Sequence, residues 1–168
     1  MEKFDLIITR QEENLRRTID MVKYAESKNL ALLTFNTAIM VILCQYTIID
    51  LSKWYWLLPL CFWIISTVLA ISSFIPIIES KYSTVYKEKN LIFFNSIGEL
   101  SNEKYHDAVV DNLSVNEKYL QMLNDQININ ARIATRKFKI FKLSTRVLFV
   151  ATIFIYLIEL YEKDRESV

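Results

Sequence analysis

Apolar residues along the chain are gathered into blocks that charged segments separate. The first block covers residues 30–49 and the second covers residues 54–78, and neither contains a charged residue. Each is long enough to cross a hydrocarbon core of about 30 Å at a helical rise of about 1.5 Å per residue. Both blocks therefore predict transmembrane helices.

A third apolar block, residues 143–161, is shorter and less uniform. Arg146 and Glu159 lie within it, and only residues 147–158 are free of charge throughout. A basic side chain near the end of a span can extend its charge to the membrane surface. The block predicts a third transmembrane helix. The alternative is a buried or in-plane amphipathic helix, which leaves a chain with two spans.

Basic residues are distributed unevenly around these blocks. Six precede the first block and eleven lie between Lys81 and Arg146, whereas only Lys53, Lys163 and Arg165 lie elsewhere. Lys and Arg are enriched in the cytoplasmic loops of membrane proteins. We therefore expect a multi-pass protein with a cytoplasmic N-terminus and an external C-terminus. In the two-span alternative the C-terminus is cytoplasmic.

The polar segments carry helical patterns. In residues 1–29 apolar residues recur at spacings of 3, 4 and 7, which predicts an amphipathic helix that runs into the first block. Ser101 is placed to cap a short helix, and Ser114 with Glu117 forms a capping-box pattern before a long one. We expect residues 79–142 and the N-terminal helix to form a small cytoplasmic bundle, and the fold class to be all-α.

The long helix has one apolar stripe, and nothing in the sequence interrupts it before the third block. The stripe comprises Leu120, Leu123, Ile127, Ala131, Ala134, Phe138 and Phe141.

Composition supports helices and narrows the function. One Gly and two Pro supply too few turns for a sandwich or barrel. A net charge of +1 gives no basic excess, so we expect no nucleic-acid partner. Cys44, Cys61 and His106 have no metal-ligand spacing, and neither a nucleophile–base pair nor a Gly-rich phosphate loop is found. We expect no enzyme, no metal and no cofactor.

A run of basic residues precedes the third block, without an acidic residue between Asp125 and Glu159. Orientation in the membrane and contact with anionic lipid head groups explain such a run. Alternatively, Arg132 and Arg136 bind a ligand phosphate, since they lie one helical turn apart and farthest from the block. The run comprises Arg132, Arg136, Lys137, Lys139, Lys142 and Arg146.

Polar residues also interrupt the first block, at Thr34, Asn36, Thr37 and Gln45. An amide in lipid needs a hydrogen-bond partner. Such residues either hold helices of one chain together, or form an oligomer contact or part of a water-filled path. Among them we choose Asn36 as the predicted contact between copies.

Three stretches together resemble a known family. They are residues 90–105, which begin Asn-Leu-Ile-Phe-Phe; residues 123–137, which begin Leu-Asn-Asp-Gln-Ile and end on Lys137; and residues 26–33 at the entry to the first block. Their order and spacing resemble those of the transmembrane effectors of the Pycsar anti-phage system. The resemblance extends over most of the chain.

This resemblance implies a function that composition does not. In such systems a cyclase makes a cyclic mononucleotide, typically cyclic CMP or cyclic UMP, and a membrane effector senses it and impairs the bacterial inner membrane. Arg132 and Arg136 are then candidate phosphate partners, and Phe93 or Phe94 candidate stacking surfaces for the base. Core packing is the alternative role of these two aromatic residues. We also expect a homo-oligomer, since one three-helix unit has too few helices to enclose a wide aqueous path.

A structural or scaffolding membrane protein, which recruits a cytosolic partner through the long helix, is the alternative function. A nucleotide sensor binds its ligand saturably without a protein partner, whereas a scaffold does not.

Overall fold

Helices dominate the computed structural model of the protein, which describes residues 2–49, 54–75, 90–93, 97–113 and 116–166. These described residues contain four α-helices, one short 3-10 helix and no strand. The predicted all-α fold class is confirmed.

The two longest helices each contain about a third of the chain. Helix α1 comprises Glu2–Ile49, and helix α4 comprises Asn116–Glu166. Between them lie the 3-10 helix Trp54–Trp56, helix α2 at Leu57–Ser72 and helix α3 at Asn102–Leu113. Neither α1 nor α4 contains Gly or Pro, so neither has a residue that would break it. The predicted continuity of both helices into apolar blocks is confirmed.

Helix ends follow from local chemistry. The backbone N–H of Lys104 donates to Oγ of Ser101 at 3.4 Å, and the N–H of Tyr105 donates to the Ser101 carbonyl at 2.8 Å. Ser101 therefore caps α3 as predicted. Pro59 lies in the first turn of α2, where its missing N–H leaves no helical hydrogen bond unmade. Ser114 of the predicted capping box lies outside the described residues.

Contacts divide the chain into two units. Unit 1 comprises Met1–Lys23 and Ile77–Ala134, and unit 2 comprises Tyr24–Pro76 and Thr135–Val168. The predicted segments 1–29, 30–49, 54–78, 79–142 and 143–161 refer instead to the position of a membrane. Those boundaries stay predictions.

In unit 2, the buried positions of α4 and some of its half-buried ones recur at alternating spacings of four and three residues. This is the 3.5-residue repeat of helices that pack along a common seam, as in coiled coils. The seam differs from the predicted stripe at one turn, where Lys137 is buried and Phe138 is half-buried with its ring 6.1 Å from that of Tyr24. The seam positions are Lys137, Phe141, Ser144, Leu148, Ala151, Ile155, Ile158 and Glu162.

The apolar core of unit 2 is small relative to its apolar surface. Leu32, Trp63 and Leu148 belong to the buried cluster, whereas large apolar side chains such as Val68 and Phe149 are 59% and 66% exposed. A soluble protein would bury most of such side chains. Unit 2 is therefore suited to an apolar solvent.

Among the described residues, two helical segments are long and apolar enough to cross a membrane: Trp54–Ser72 and Glu117–Arg165. Only 22% and 17% of their most apolar windows are buried, unlike the core helices of a soluble protein. The first of these segments covers most of the second apolar block, and the other contains the third. That residues 30–49 also span stays a prediction.

Ala151 provides a test of the packing in unit 2. It is fully buried on α4, so Ala151→Leu should lower the free energy of unfolding by about 1–3 kcal/mol, because the added atoms have no space. Thermal unfolding in detergent micelles, followed by circular dichroism, measures the change. Phe149→Leu, at an outward position on the same helix, is the control and should melt as wild type. Equal melting of the Ala151→Leu variant would contradict the packing described.

Candidate functional site

A layer of hydrogen-bonded polar side chains lies inside unit 2, where α1, α2 and α4 meet. Asn36, Ser66 and Ser144 are each 0% exposed. Nδ2 of Asn36 donates to Oγ of Ser66 at 2.8 Å, and the Oγ atoms of Ser66 and Ser144 are 2.9 Å apart. Oγ of Ser144 also donates to the Ser66 carbonyl at 2.7 Å, and Oγ of Ser66 lies 3.0 Å from the Ser144 carbonyl. These bonds link one residue of each helix.

Asn36 is fixed through its backbone as well. The indole Nε1 of Trp63 donates to the carbonyl of Asn36 at 3.2 Å. The side-chain Oδ1 of Asn36 is buried without a hydrogen-bond partner among the described residues. The amide therefore holds helices of one chain together, and a contact of Asn36 with a second copy stays a prediction.

Lys137 is the centre of a second polar layer. It is 8% exposed, and its Nζ donates to the carbonyl of Ser73 at 2.7 Å and lies 3.0 Å from Oε1 of Glu26. Ser73 is the C-cap of α2, so the ammonium group lies at the negative end of that helix. Nζ is also 5.9 Å from the centre of the Phe74 ring. One lysine thus connects α4 with α1 and with the end of α2.

Asn29 belongs to the same layer as Lys137. Its Nδ2 donates to the carbonyls of Ala25 at 2.8 Å and Lys137 at 3.2 Å. Its Oδ1 is buried, again without a hydrogen-bond partner in the described part of the chain. Asn29 and Asn36 are seven residues apart, so they lie on the same face of α1. Unit 2 therefore contains two buried amide oxygens that accept no hydrogen bond from described residues.

Lys137 departs from the other members of the basic run. Arg132, Arg136, Lys139, Lys142 and Arg146 are all exposed, and contact with lipid head groups stays a prediction for them. For Lys137 that interpretation is wrong, because its charge is paired inside unit 2. The signal that could have identified it is its position on the 3.5-residue seam, seven residues before Ser144.

Phe93 lies at the end of a short segment that is anchored on α4 within unit 1. Nδ2 of Asn90 donates to the Met122 carbonyl at 3.1 Å, and its Oδ1 accepts from the backbone N–H of Ile92 at 2.9 Å. Leu91 is buried, at 4% exposure. This local structure leaves Phe93 half-buried. Phe94 lies outside the described residues.

The two predicted phosphate partners are both on α4 and both exposed. Arg132 belongs to unit 1, as does Phe93, whereas Arg136 belongs to unit 2. Arg132 and Phe93 each have an interaction partner in the structure. The structure thus brings Arg132 and Phe93 into one unit.

Unit 1 also contains polar groups that sequence reasoning missed. The hydroxyl of Tyr119 donates a hydrogen bond to Oε1 of Glu12 at 2.7 Å. Burial, reinforced by the Glu12 carboxylate, raises the pKa of Tyr119 to about 12, so the phenol stays a neutral donor near pH 7. Farther along α4, burial raises the pKa of Asp125, and Oε1 of Gln126 is buried without a partner among described residues.

The chemistry available in both units is that of hydrogen bonding and ion pairing. Among the described residues, no group of three His, Cys, Asp or Glu side chains is placed to hold a metal ion. Buried amides, hydroxyls and one ammonium group can fix helix packing, hold water or respond to a bound ligand.

Comparison with known proteins assigns the family. A family model described as a Pycsar effector protein domain matches residues 10–161. The Pycsar effector protein RsPycTM of a Rhizobium species is 31% identical over 140 residues, which cover 76% of this chain and 80% of the relative. No solved structure matches the chain. The resemblance found in the sequence is confirmed, and the chain belongs to the family of Pycsar transmembrane effectors.

Proposed function

We propose that this effector is activated by a cyclic pyrimidine mononucleotide, cyclic CMP or cyclic UMP, and then impairs the integrity of the bacterial inner membrane. It acts as part of an abortive response to phage infection and without catalysing a reaction. The observation that carries the proposal is the family match, which covers both the polar segments and the apolar blocks.

The apolar surface of unit 2 supports a membrane location. The first apolar block contributes to this surface as the other two do, since Leu30, Phe35 and Val41 are each more than half exposed. Asn36 in that block bonds Ser66 in a candidate span, which places both residues side by side. A multi-pass topology with three spans accounts for these contacts, and the charge asymmetry puts the N-terminus in the cytoplasm.

Unit 1 is the proposed sensor. It contains the polar half of α1 and the part of α4 that carries Arg132, and Phe93 lies in the same unit. Guanidinium groups bind phosphate through charge-assisted hydrogen bonds, and aromatic rings stack on bases. Arg136, one turn farther along α4, is the second proposed phosphate partner.

Self-association is the proposed route to membrane damage. Three helices enclose too little space for a wide aqueous path, and several copies together provide more. The exposed apolar side chains of unit 2 offer surface for contact with lipid or with a second copy.

Topology can be tested with reporter fusions. Because seventeen of the twenty basic residues lie in segments assigned to one side, an N-terminal fusion should report a cytoplasmic location and a fusion after Val168 an external one. Paired alkaline phosphatase and fluorescent protein reporters distinguish the two sides. A C-terminal reporter found in the cytoplasm would show that the third block does not span the membrane.

Nucleotide binding can be tested by calorimetry on the full chain in detergent, with cyclic CMP and cyclic UMP titrated separately. A charge-assisted contact contributes roughly 1.5–3 kcal/mol, so Arg132→Ala and Arg136→Ala should each weaken binding about tenfold or more. Lys142→Ala, which removes an exposed charge from the same helix, is the matched control and should bind as wild type.

Two outcomes of the titration would contradict the assignment. Unchanged affinity in both arginine variants would exclude these residues as phosphate partners, and no binding of either nucleotide to wild type would favour a scaffold. Phe93→Ala separates its two roles. Loss of stacking lowers affinity at an unchanged melting temperature, whereas loss of core packing lowers the melting temperature itself.

The role of Asn36 can be tested with Asn36→Leu. If its amide joins copies, this variant should crosslink as smaller oligomers in the membrane fraction and reduce leakage of cells given the nucleotide. Interhelical hydrogen bonds in membranes contribute about 0.6–2 kcal/mol, so a partial effect is expected. Leakage at the wild-type rate would mean that Asn36 acts only within one chain, through its bond with Ser66. Wild-type protein that leaks while it stays monomeric would contradict assembly.

A further inference from the structure

The buried polar residues of the protein are concentrated in unit 2. Among the described residues, all six buried polar or charged side chains belong to it, whereas its outward side chains are largely apolar. In membrane proteins, polar residues within spanning bundles face the interior or a water-filled cavity and mark ion or substrate pathways. The six are Asn29, Asn36, Ser66, Ser73, Lys137 and Ser144.

These side chains form two polar layers along the seam. Lys137 and Ser144 are seven residues apart on α4, and Asn29 and Asn36 are seven apart on α1. Seven residues correspond to about 10.5 Å along a helix axis. The two helices are in register, since Asn29 bonds the carbonyl of Lys137 and Asn36 joins Ser144 through Ser66.

Both layers are incompletely hydrogen-bonded in a way that indicates a ligand. Oδ1 of Asn29 and Oδ1 of Asn36 are buried acceptors in fully buried side chains, and neither has a partner among described residues. Leaving such a group unsatisfied costs about 1–3 kcal/mol. Water is the ligand that satisfies isolated acceptors inside proteins, and serine hydroxyls next to Asn36 provide further partners.

Leu32 of the buried apolar cluster lies between the two polar layers, and beyond Ser144 the interior is apolar. Trp63, Leu148 and Ala151 are buried together there. Farther along α4, Glu162 accepts from the hydroxyl of Tyr55 at 2.8 Å and from Nε1 of Trp56 at 3.3 Å. An apolar layer between polar layers excludes water when narrow and admits it when widened. The interior therefore has the order expected of a closed path.

From this arrangement we infer that, when copies assemble, the inward faces of α1, α2 and α4 in unit 2 separate and together line the aqueous path, with water as the ligand of Asn29 and Asn36. The inference rests on the proposed function, because it assigns the surface through which an activated effector passes water and solutes. The outward faces, which include Val68 and Phe149, contact lipid or other copies and do not line the path.

Thiol accessibility tests this assignment. In a full chain that carries Cys44→Ala and Cys61→Ala, Ser66→Cys and Ser144→Cys place near-isosteric thiols on the inward faces. Val68→Cys and Thr145→Cys are matched controls, since each lies within two residues of an inward position and is exposed. Inverted membrane vesicles expose the cytoplasmic side to cyclic CMP or cyclic UMP and to a membrane-impermeant methanethiosulfonate. Release of a trapped dye reports leakage in the same sample.

When the vesicles leak, the reaction rate at both inward positions should rise about tenfold or more, because only molecules with a wetted interior react. The control positions should stay unreactive. Leakage accompanied by reaction at Val68→Cys and Thr145→Cys, but not at the inward positions, would overturn the inference and place the path between outward faces.

If neither nucleotide causes leakage, the proposed activation is wrong. Whether the inward faces line the path is then tested separately with Glu26→Gln. That change leaves Lys137 buried without its charge partner, which destabilises the closed arrangement. In this variant the inward thiols should react without nucleotide while the control thiols do not. Inward thiols that stay unreactive, in protein that elutes from detergent chromatography as wild type, would overturn the lining.

Discussion

The packing of unit 2 depends on the reciprocal contact between Ser66 and Ser144. Helices in lipid gain little from the hydrophobic effect when they meet, so close backbone approach and interhelical hydrogen bonds must hold them together. Each of these serines is small enough to let α2 approach α4 and polar enough to bond across the contact. Their position fixes where Asn36 finds its partner, and Trp63, one turn before Ser66 on α2, then reaches the backbone of Asn36.

Much of the fold could be predicted from what the chain lacks. Without Gly or Pro, residues 2–49 and 116–166 have no break, and the apolar blocks predict which parts of these helices tolerate lipid. Ser101 was correctly predicted as a cap because its oxygen acts within one turn of its own helix. Such local determinants can be identified in a single sequence. The family motifs can be identified too, because they also consist of residues close together in the chain.

The polar interior could not be predicted, because it depends on partners that are distant in the chain. Whether Lys137 or Phe138 faces the seam depends on a rotation of α4 about its axis by about 100°. The choice is decided by Glu26 and the Ser73 carbonyl, which lie more than sixty residues away. Hydroxyl residues in apolar helices commonly bond a carbonyl of their own helix, as Thr67 does. Nothing in the sequence distinguishes such a residue from Ser66.

The ion pair of Lys137 and Glu26 is an unusual way to close a helical bundle. Lys137 is buried whereas the Glu26 side chain is 45% exposed, so desolvation of the ammonium group offsets much of an attraction that solvent already screens. A protein that only had to stay closed would be served better by apolar packing at this position. Under the proposed activation the protein leaves its resting arrangement when the nucleotide binds, and for that task a contact of small net stability is suitable. The same reasoning applies to Oδ1 of Asn29 and Oδ1 of Asn36, which have no hydrogen-bond partner among the described residues. Each raises the free energy of a dry interior relative to a hydrated one.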